Sequence, residues 1–247
     1  MKNVRLRLPA RRLKPRLLAH RSHEHELLDG DALDGDELRA NLRELAMLNR
    51  LPGGTATSIE AIEMLADGMR DLHVLDLGTG GGEMPIAFAR HGRRGPAHWT
   101  VTAVDNHPSV MGMAQRRLER DPDVTPLLAD SRFLPLEDES VDVAHASLLL
   151  HHLEPQDALA MLSEMRRVAR IGVVVNDLRR GPLAYAVTGF MVLGLTRARY
   201  TRHDGLASAR RAYSLRELDE LLHAAGLSTV WRSPALMPRV VTAAVAF

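Results

Sequence analysis

Val74-Leu75-Asp76-Leu77-Gly78-Thr79-Gly80-Gly81-Gly82-Glu83 decides the fold: an apolar run ends in a glycine-rich turn, and the turn opens a helical pattern. Glycines recur where the backbone must take positive φ and let a ligand approach without a Cβ in the way. They stand at 78, 80 and 82, and the sixth position of the motif is Glu83, so the dinucleotide spacing G-x-G-x-x-G is not met.

Outward from this turn the pattern alternates. Apolar runs at 73–77, 99–105, 124–129, 141–146 and 171–176 are interleaved with helical patterns at 83–91, 109–120 and 159–169. Short β-branched runs alternating with helices predict a doubly wound α/β fold with a mostly parallel sheet covered on both faces. A capped helix over 214–225 and two strands, around Val230 and over 240–247, close the chain. Upstream, Leu38, Leu42, Leu45 and Leu48 recur at helical spacing and predict an amphipathic helix over 36–49. Leu51-Pro52-Gly53-Gly54 breaks it, and Thr57 or Ser58 is expected to cap a second helix before the first strand.

Composition excludes several functions. The chain has no cysteine, so disulfides, thiolate metal sites and thiol nucleophiles are out, and a reducing cytoplasm suits it. With 32 basic and 31 acidic residues nothing global argues for DNA or a membrane surface. The longest apolar run, 183–195, is too short for a span of about 20 residues. Residues 1–35 form an arm, first basic then acidic, without the apolar core of a secretory signal, and are expected to be dispensable for chemistry. No metal site is expected.

Three strands end in ligand-type residues on one sheet edge. After the glycine turn come Asp105, followed by Asn106, and Asp130, followed by Ser131. In doubly wound folds the carboxyl edge of the sheet binds ligands, and an acid about 20 residues past the turn can accept from both ribose hydroxyls. Glu83 and Asp76 beside the turn would repel a pyrophosphate but suit the cationic sulfonium and ammonium of S-adenosylmethionine.

The series VLDLGTGGGE, VTAVDNHP and LLADSRFLPLEDESVDVAHASLLLHHL resembles the class I S-adenosylmethionine-dependent methyltransferases, in the branch that acts on small molecules such as quinone precursors. The likeness covers roughly residues 40–247. It implies a seven-stranded Rossmann-like sheet ending in an antiparallel hairpin, with helices over 36–70 and an acceptor-site insertion over 178–213. It also implies that Asp76, Gly78, Thr79, Gly80 and Gly82 cradle the methionine moiety. Asp105 and Asn106 would then hold the ribose, Asp130 and Ser131 the adenine edge, and Ser147 and Leu148 would line the cofactor. More narrowly, Asn176-Asp177-Leu178-Arg179-Arg180-Gly181-Pro182-Leu183-Ala184-Tyr185, Arg202-His203-Asp204-Gly205 and Arg210-Arg211-Ala212-Tyr213 resemble bacterial methyltransferases of aromatic polyketide pathways.

The acceptor side is less determined. His152 and His151 follow the fourth strand and are candidate bases for an acceptor that must lose a proton. Tyr185, Phe190, Met191 and Leu193 are expected to line an apolar pocket, with a core helix or homodimer face as the other use of 183–195. Arg202 and the neighbouring His203–Asp204 pair lie in a basic loop, 197–211, that could meet an anionic acceptor. Methylation of a phenolic, quinone-like or polyketide oxygen or carbon is the leading expectation. An RNA or protein methyltransferase, a catalytically inactive binding fold and a nicotinamide oxidoreductase are the alternatives. The first lacks an Asn/Asp-Pro-Pro-aromatic tetrad, Ala146-Ser147-Leu148-Leu149 standing in its place, and the last lacks the third glycine.

Overall fold

A computed structural model describes residues 18, 20–22, 54–196, 199–234 and 238–247, without the side chains of 193, 195 and 199–202. The elements run α1 (Thr55–Leu65), β1 (Asp71–Leu77), α2 (Glu83–Arg94), β2 (His98–Asp105), α3 (Pro108–Leu118), β3 (Val124–Leu128), β4 (Val141–Ser147), a 3-10 turn (Leu150–His152), α4 (Pro155–Val168), β5 (Ala169–Leu178), α5 (Pro182–Leu195), α6 (Arg199–Arg211), α7 (Leu215–Ala224), β6 (Leu227–Arg232) and β7 (Arg239–Ala246).

These strands form one sheet in the order β3-β2-β1-β4-β5-β7-β6. The first five are mutually parallel, and β7 is antiparallel to β5 and to β6. The expected terminal hairpin is therefore present. Because a strand alternates its side chains between faces, β5 sends Val173 and Val175 into one core and Val174 into the other. The first core takes Met161, Leu162 and Met165 of α4 with Leu218 and Leu222 of α7. The second takes Ile62 of α1, Phe88 of α2 and Leu118 of α3. The chain winds outward from β1 to β3 and returns to β4 on the far side of β1. This reversal leaves a crevice at the carboxyl ends of the strands.

Two expectations change. Neither Thr57 nor Ser58 caps α1: the cap is Gly54, both lie inside the helix, and Ser58 is fully buried with His145 and Asn176 as polar partners. The basic stretch after 197 is a helix over Arg199–Arg211, not a loop, held by Ala207 and Ala209 in the interior. The expected helix over 36–49 lies outside the described residues.

Candidate functional site

The glycine turn is built as its composition requires. Gly78, Gly80 and Gly82 take φ of 67°, 54° and 79°, in the left-handed region that side chains resist. Thr79 N donates to Val104 O at 2.9 Å and Gly80 N to Asp105 Oδ2 at 3.0 Å, which pins the turn to the end of β2. At Gly78 a Cβ would stand 3.0 Å from both Leu149 methyl groups. At Gly82 it would stand 2.6 Å from Leu118 Cδ2, so this third glycine serves packing of α3 against the turn.

A cavity of about 200 Å³ opens at this edge, lined among others by Gly78, Asp105, Asn106, Asp130, Ser131 and Leu149. It thus gathers five of the residues expected at the cofactor. Asp105 Oδ2 accepts from Gly80 N and Oδ1 from His107 N at 3.0 Å, and each oxygen can accept a further hydrogen bond. A diol would find two acceptors there.

Asp76 does not reach this wall. It is buried beneath the turn, where Thr79 Oγ1 donates to Oδ2 at 2.8 Å and His145 Nδ1 to Oδ1 at 2.7 Å. The remaining His145 nitrogen, Nε2, lies within hydrogen-bond distance of Ser58 Oγ at 3.0 Å, and Asn176 Nδ2 donates to Ser58 Oγ at 2.8 Å. Asp76 thus supports the turn from beneath. Glu83 pairs with Arg117 of α3. Asp130 is clasped by Arg132, whose Nη2 donates to Oδ2 at 2.7 Å and whose Nε donates to Oδ1 at 3.0 Å. This pairing holds the Asp130 carboxyl below the usual carboxylate range.

Beyond β4 the backbone turns sharply. Leu148 has φ 51°, rare for a leucine, and its N–H donates to Asn176 O at 3.0 Å. Leu149 and Leu153 then face the cavity, while His151 is buried on the far side of the turn. There His151 Nδ1 donates to Asp177 Oδ1 at 2.5 Å, and His151 N to Oδ2 at 3.2 Å. Burial alone would raise the Asp177 carboxyl, but the His151 imidazole and the Leu178 N–H hold it below its ordinary value. His152 lies against His151, ring centroids 4.2 Å apart. Ser147 accepts from Arg239 Nη2 at 2.8 Å. Burial pulls the Arg239 guanidinium down to about 10, against the charge of Asp177.

Of the substrate-side residues, Tyr185 is half-buried on α5, and Phe190 is 81% exposed. Ala184, Thr188 and Val192 at four-residue spacing form the buried face of α5, which turns Phe190 outward among the described residues. His203 and Asp204 do meet, Nδ1 to Oδ1 at 3.2 Å. The Arg202 side chain, like that of Leu193, lies outside the described ones. Among the described residues no three His, Asp or Glu gather as a metal site, and no helix is long and apolar enough to cross a membrane.

Sequence reasoning missed Asp177, Arg132, His145 and Arg239. Asp177 carried a usable signal, an acid at the carboxyl end of a strand like Asp105. The others depend on which strands become neighbours.

Residues 74–172 match the family model of a methyltransferase domain. An uncharacterized methyltransferase of Synechocystis is 30% identical over 109 residues, which is 43% of this chain and 47% of that protein. The chain spans less than half the length of the curated relatives it matches. An S-adenosylmethionine-dependent methyltransferase of Aquifex aeolicus superposes with TM-score 0.56 at 19% identity, over 86% of this chain and 98% of the other. Magnesium protoporphyrin IX methyltransferase of Synechocystis, with S-adenosylmethionine bound, gives TM-score 0.55 at 15% identity, over 90% and 88%.

Proposed function

From the premise that this chain carries a methyltransferase domain of the class I, S-adenosylmethionine-dependent fold, we propose that it methylates an oxygen or carbon of a small, apolar or aromatic acceptor. The observation that carries the reading is the Asp105 carboxylate in the wall of a cavity shared with Gly78: two acceptor oxygens for a ribose diol beside a backbone with no Cβ to fill the space. Asp130 and Ser131 would take the adenine edge, and Gly78 and Gly80 the methionine moiety. Asp76, Thr79 and Gly82 hold the turn from behind; Leu149 and Leu153 line the cavity beyond β4, and Ser147 and Leu148, expected to line the cofactor, are not in its lining.

When bound, the cofactor supplies an electrophilic methyl group on a sulfonium that is already a good leaving group. The protein therefore contributes alignment and exclusion of water. Where the acceptor must lose a proton, His152 is the base, and the positive charge it gains lies beside the buried Asp177 carboxylate and its partner His151. The segment 178–213, with Tyr185 and the His203–Asp204 pair, forms the acceptor-recognition element. A small acceptor is supported by the chain's likeness to the magnesium protoporphyrin IX methyltransferase and by the apolar composition of α5.

Calorimetric titration of the full chain with S-adenosylmethionine, S-adenosylhomocysteine and NADH tests the reading. Binding of the first two, with none of NADH, is the expected result. Binding of none of the three, or of NADH alone, overturns it.

A further inference from the structure

The turn that carries His151 and His152 is three residues of 3-10 helix, too short to satisfy its own carbonyls. Side chains from distant parts of the chain do so. Arg21 Nη2 donates to His151 O at 2.9 Å and to Leu153 O at 2.7 Å. Arg211 Nη2 donates to His152 O at 2.6 Å, and the Tyr213 hydroxyl to Leu153 O at 2.8 Å. Arg21 also joins this turn to α6 and to the start of α4. Its Nε donates to Arg211 O at 2.7 Å, its Nη1 to Glu154 Oε1 at 2.9 Å, and its guanidinium lies 4.8 Å from the centroid of the Tyr213 ring.

Only 7% of the Arg21 side chain is exposed. The backbone on either side is fastened too: Arg180 Nη1 donates to Leu18 O at 3.3 Å, and Ser22 N to Arg210 O at 3.0 Å. Fixing an arginine costs rotamer entropy, which is offset where its rigid fork meets an acceptor at each edge. Here every edge does, across segments 130 to 190 residues away in sequence. The basic arm is therefore not a detached tail at this point.

We infer that Arg21 is a positioning residue for the acceptor side: it clamps residues 151–153, so that His151 stays on Asp177, His152 stays stacked on His151, and Leu153 stays in the cavity wall. Its consequence for turnover rests on the function proposed above; its consequence for the turn does not. A lysine has the charge but not the planar fork, and cannot hold two carbonyls of one turn together with a third from α6.

The test uses the full chain with Arg21→Ala and Arg21→Lys. One readout is the downfield nuclear magnetic resonance signal of the His151 Nδ1 proton shared with Asp177, the other calorimetric titration with S-adenosylhomocysteine. In both variants the proton signal is expected to broaden or vanish and the affinity to fall about tenfold, because Leu153 shares the cavity wall. Guanidinium ion added to Arg21→Ala is expected to restore the signal. A wild-type signal in either folded variant overturns the clamp, and should Arg21→Ala not fold, Arg21→Lys decides alone. Failure of the wild-type chain to bind S-adenosylhomocysteine would sink the function while leaving the proton signal to judge Arg21.

Discussion

Both oxygens of Asp105 already accept one backbone N–H each, from Gly80 and from His107, so this carboxylate holds the glycine turn and faces the cavity at once. Asp105→Ala would leave two ribose hydroxyls without acceptors at about 1.5–3 kcal/mol for each charged bond, a loss on the order of 10²-fold in affinity or more. Asp105→Asn keeps the shape and one acceptor and should lose about tenfold. Calorimetry with S-adenosylhomocysteine separates the two, and unchanged affinity in the alanine variant would remove Asp105 from the ribose. At His152 the expectation is opposite: His152→Ala keeps cofactor affinity and lowers turnover by about 10²–10⁴-fold if the acceptor must lose a proton. Equal turnover would return both histidines to a structural role. Asp105 was legible because an acid after an apolar run is a positional signal. The His151–Asp177 pair was not, because it needs β5 beside β4, and no local pattern states that adjacency.

Elements show the same division. Gly82 and Gly68 both stand at positive φ, 79° and 76°, so alanine at either pays strain of about 1–2 kcal/mol. Only at Gly82 would the new Cβ collide, 2.6 Å from the buried Leu118, whereas nothing lies within 4 Å at Gly68. Urea unfolding should therefore find Gly82→Ala clearly less stable than Gly68→Ala, and equal midpoints would refute the packing role of the third glycine. The cap of α7 is a second case. Ser214 Oγ accepts from Glu217 N while the Glu217 carboxylate accepts from Ser214 N, so Ser214→Ala should cost about 1 kcal/mol in the same measurement. That helix start was readable from the sequence, as were all seven strands to within a few residues. Ser58 was read as a cap because a serine before an apolar run resembles one; its burial against His145 and Asn176 is a tertiary fact. The stretch after 197 was read as a loop because its arginines hide the small residues that pack α6.

At the scale of the molecule, several carboxylates among the described residues are held low by a neighbouring arginine. Arg93 lowers Asp121 and Asp123, Arg132 lowers Asp130, and Arg167 lowers Glu164. Against burial, which alone would raise them, Arg180 lowers Glu217 and His151 lowers Asp177. A folded carboxyl below its unfolded value contributes stability that is present above the unfolded value and is lost as pH falls through the folded one. On the alkaline side two groups oppose each other. Burial pushes the Tyr213 hydroxyl up to about 12, a contribution present below its unfolded value near 10 and lost as pH rises toward 12. Arg239, pulled down to about 10, carries a cost below that value which deprotonation relieves above it. The unfolding midpoint in urea should therefore stay nearly level from about pH 7 to 9, decline slightly below that as the unfolded chain protonates His73, whose folded value burial lowers, and fall steeply below about pH 4, where these carboxylates take up protons. Arg93→Gln releases Asp121 and Asp123 together and should make the acid limb shallower, while lowering the plateau. An acid limb of unchanged slope in that variant would place the pH dependence elsewhere in the chain.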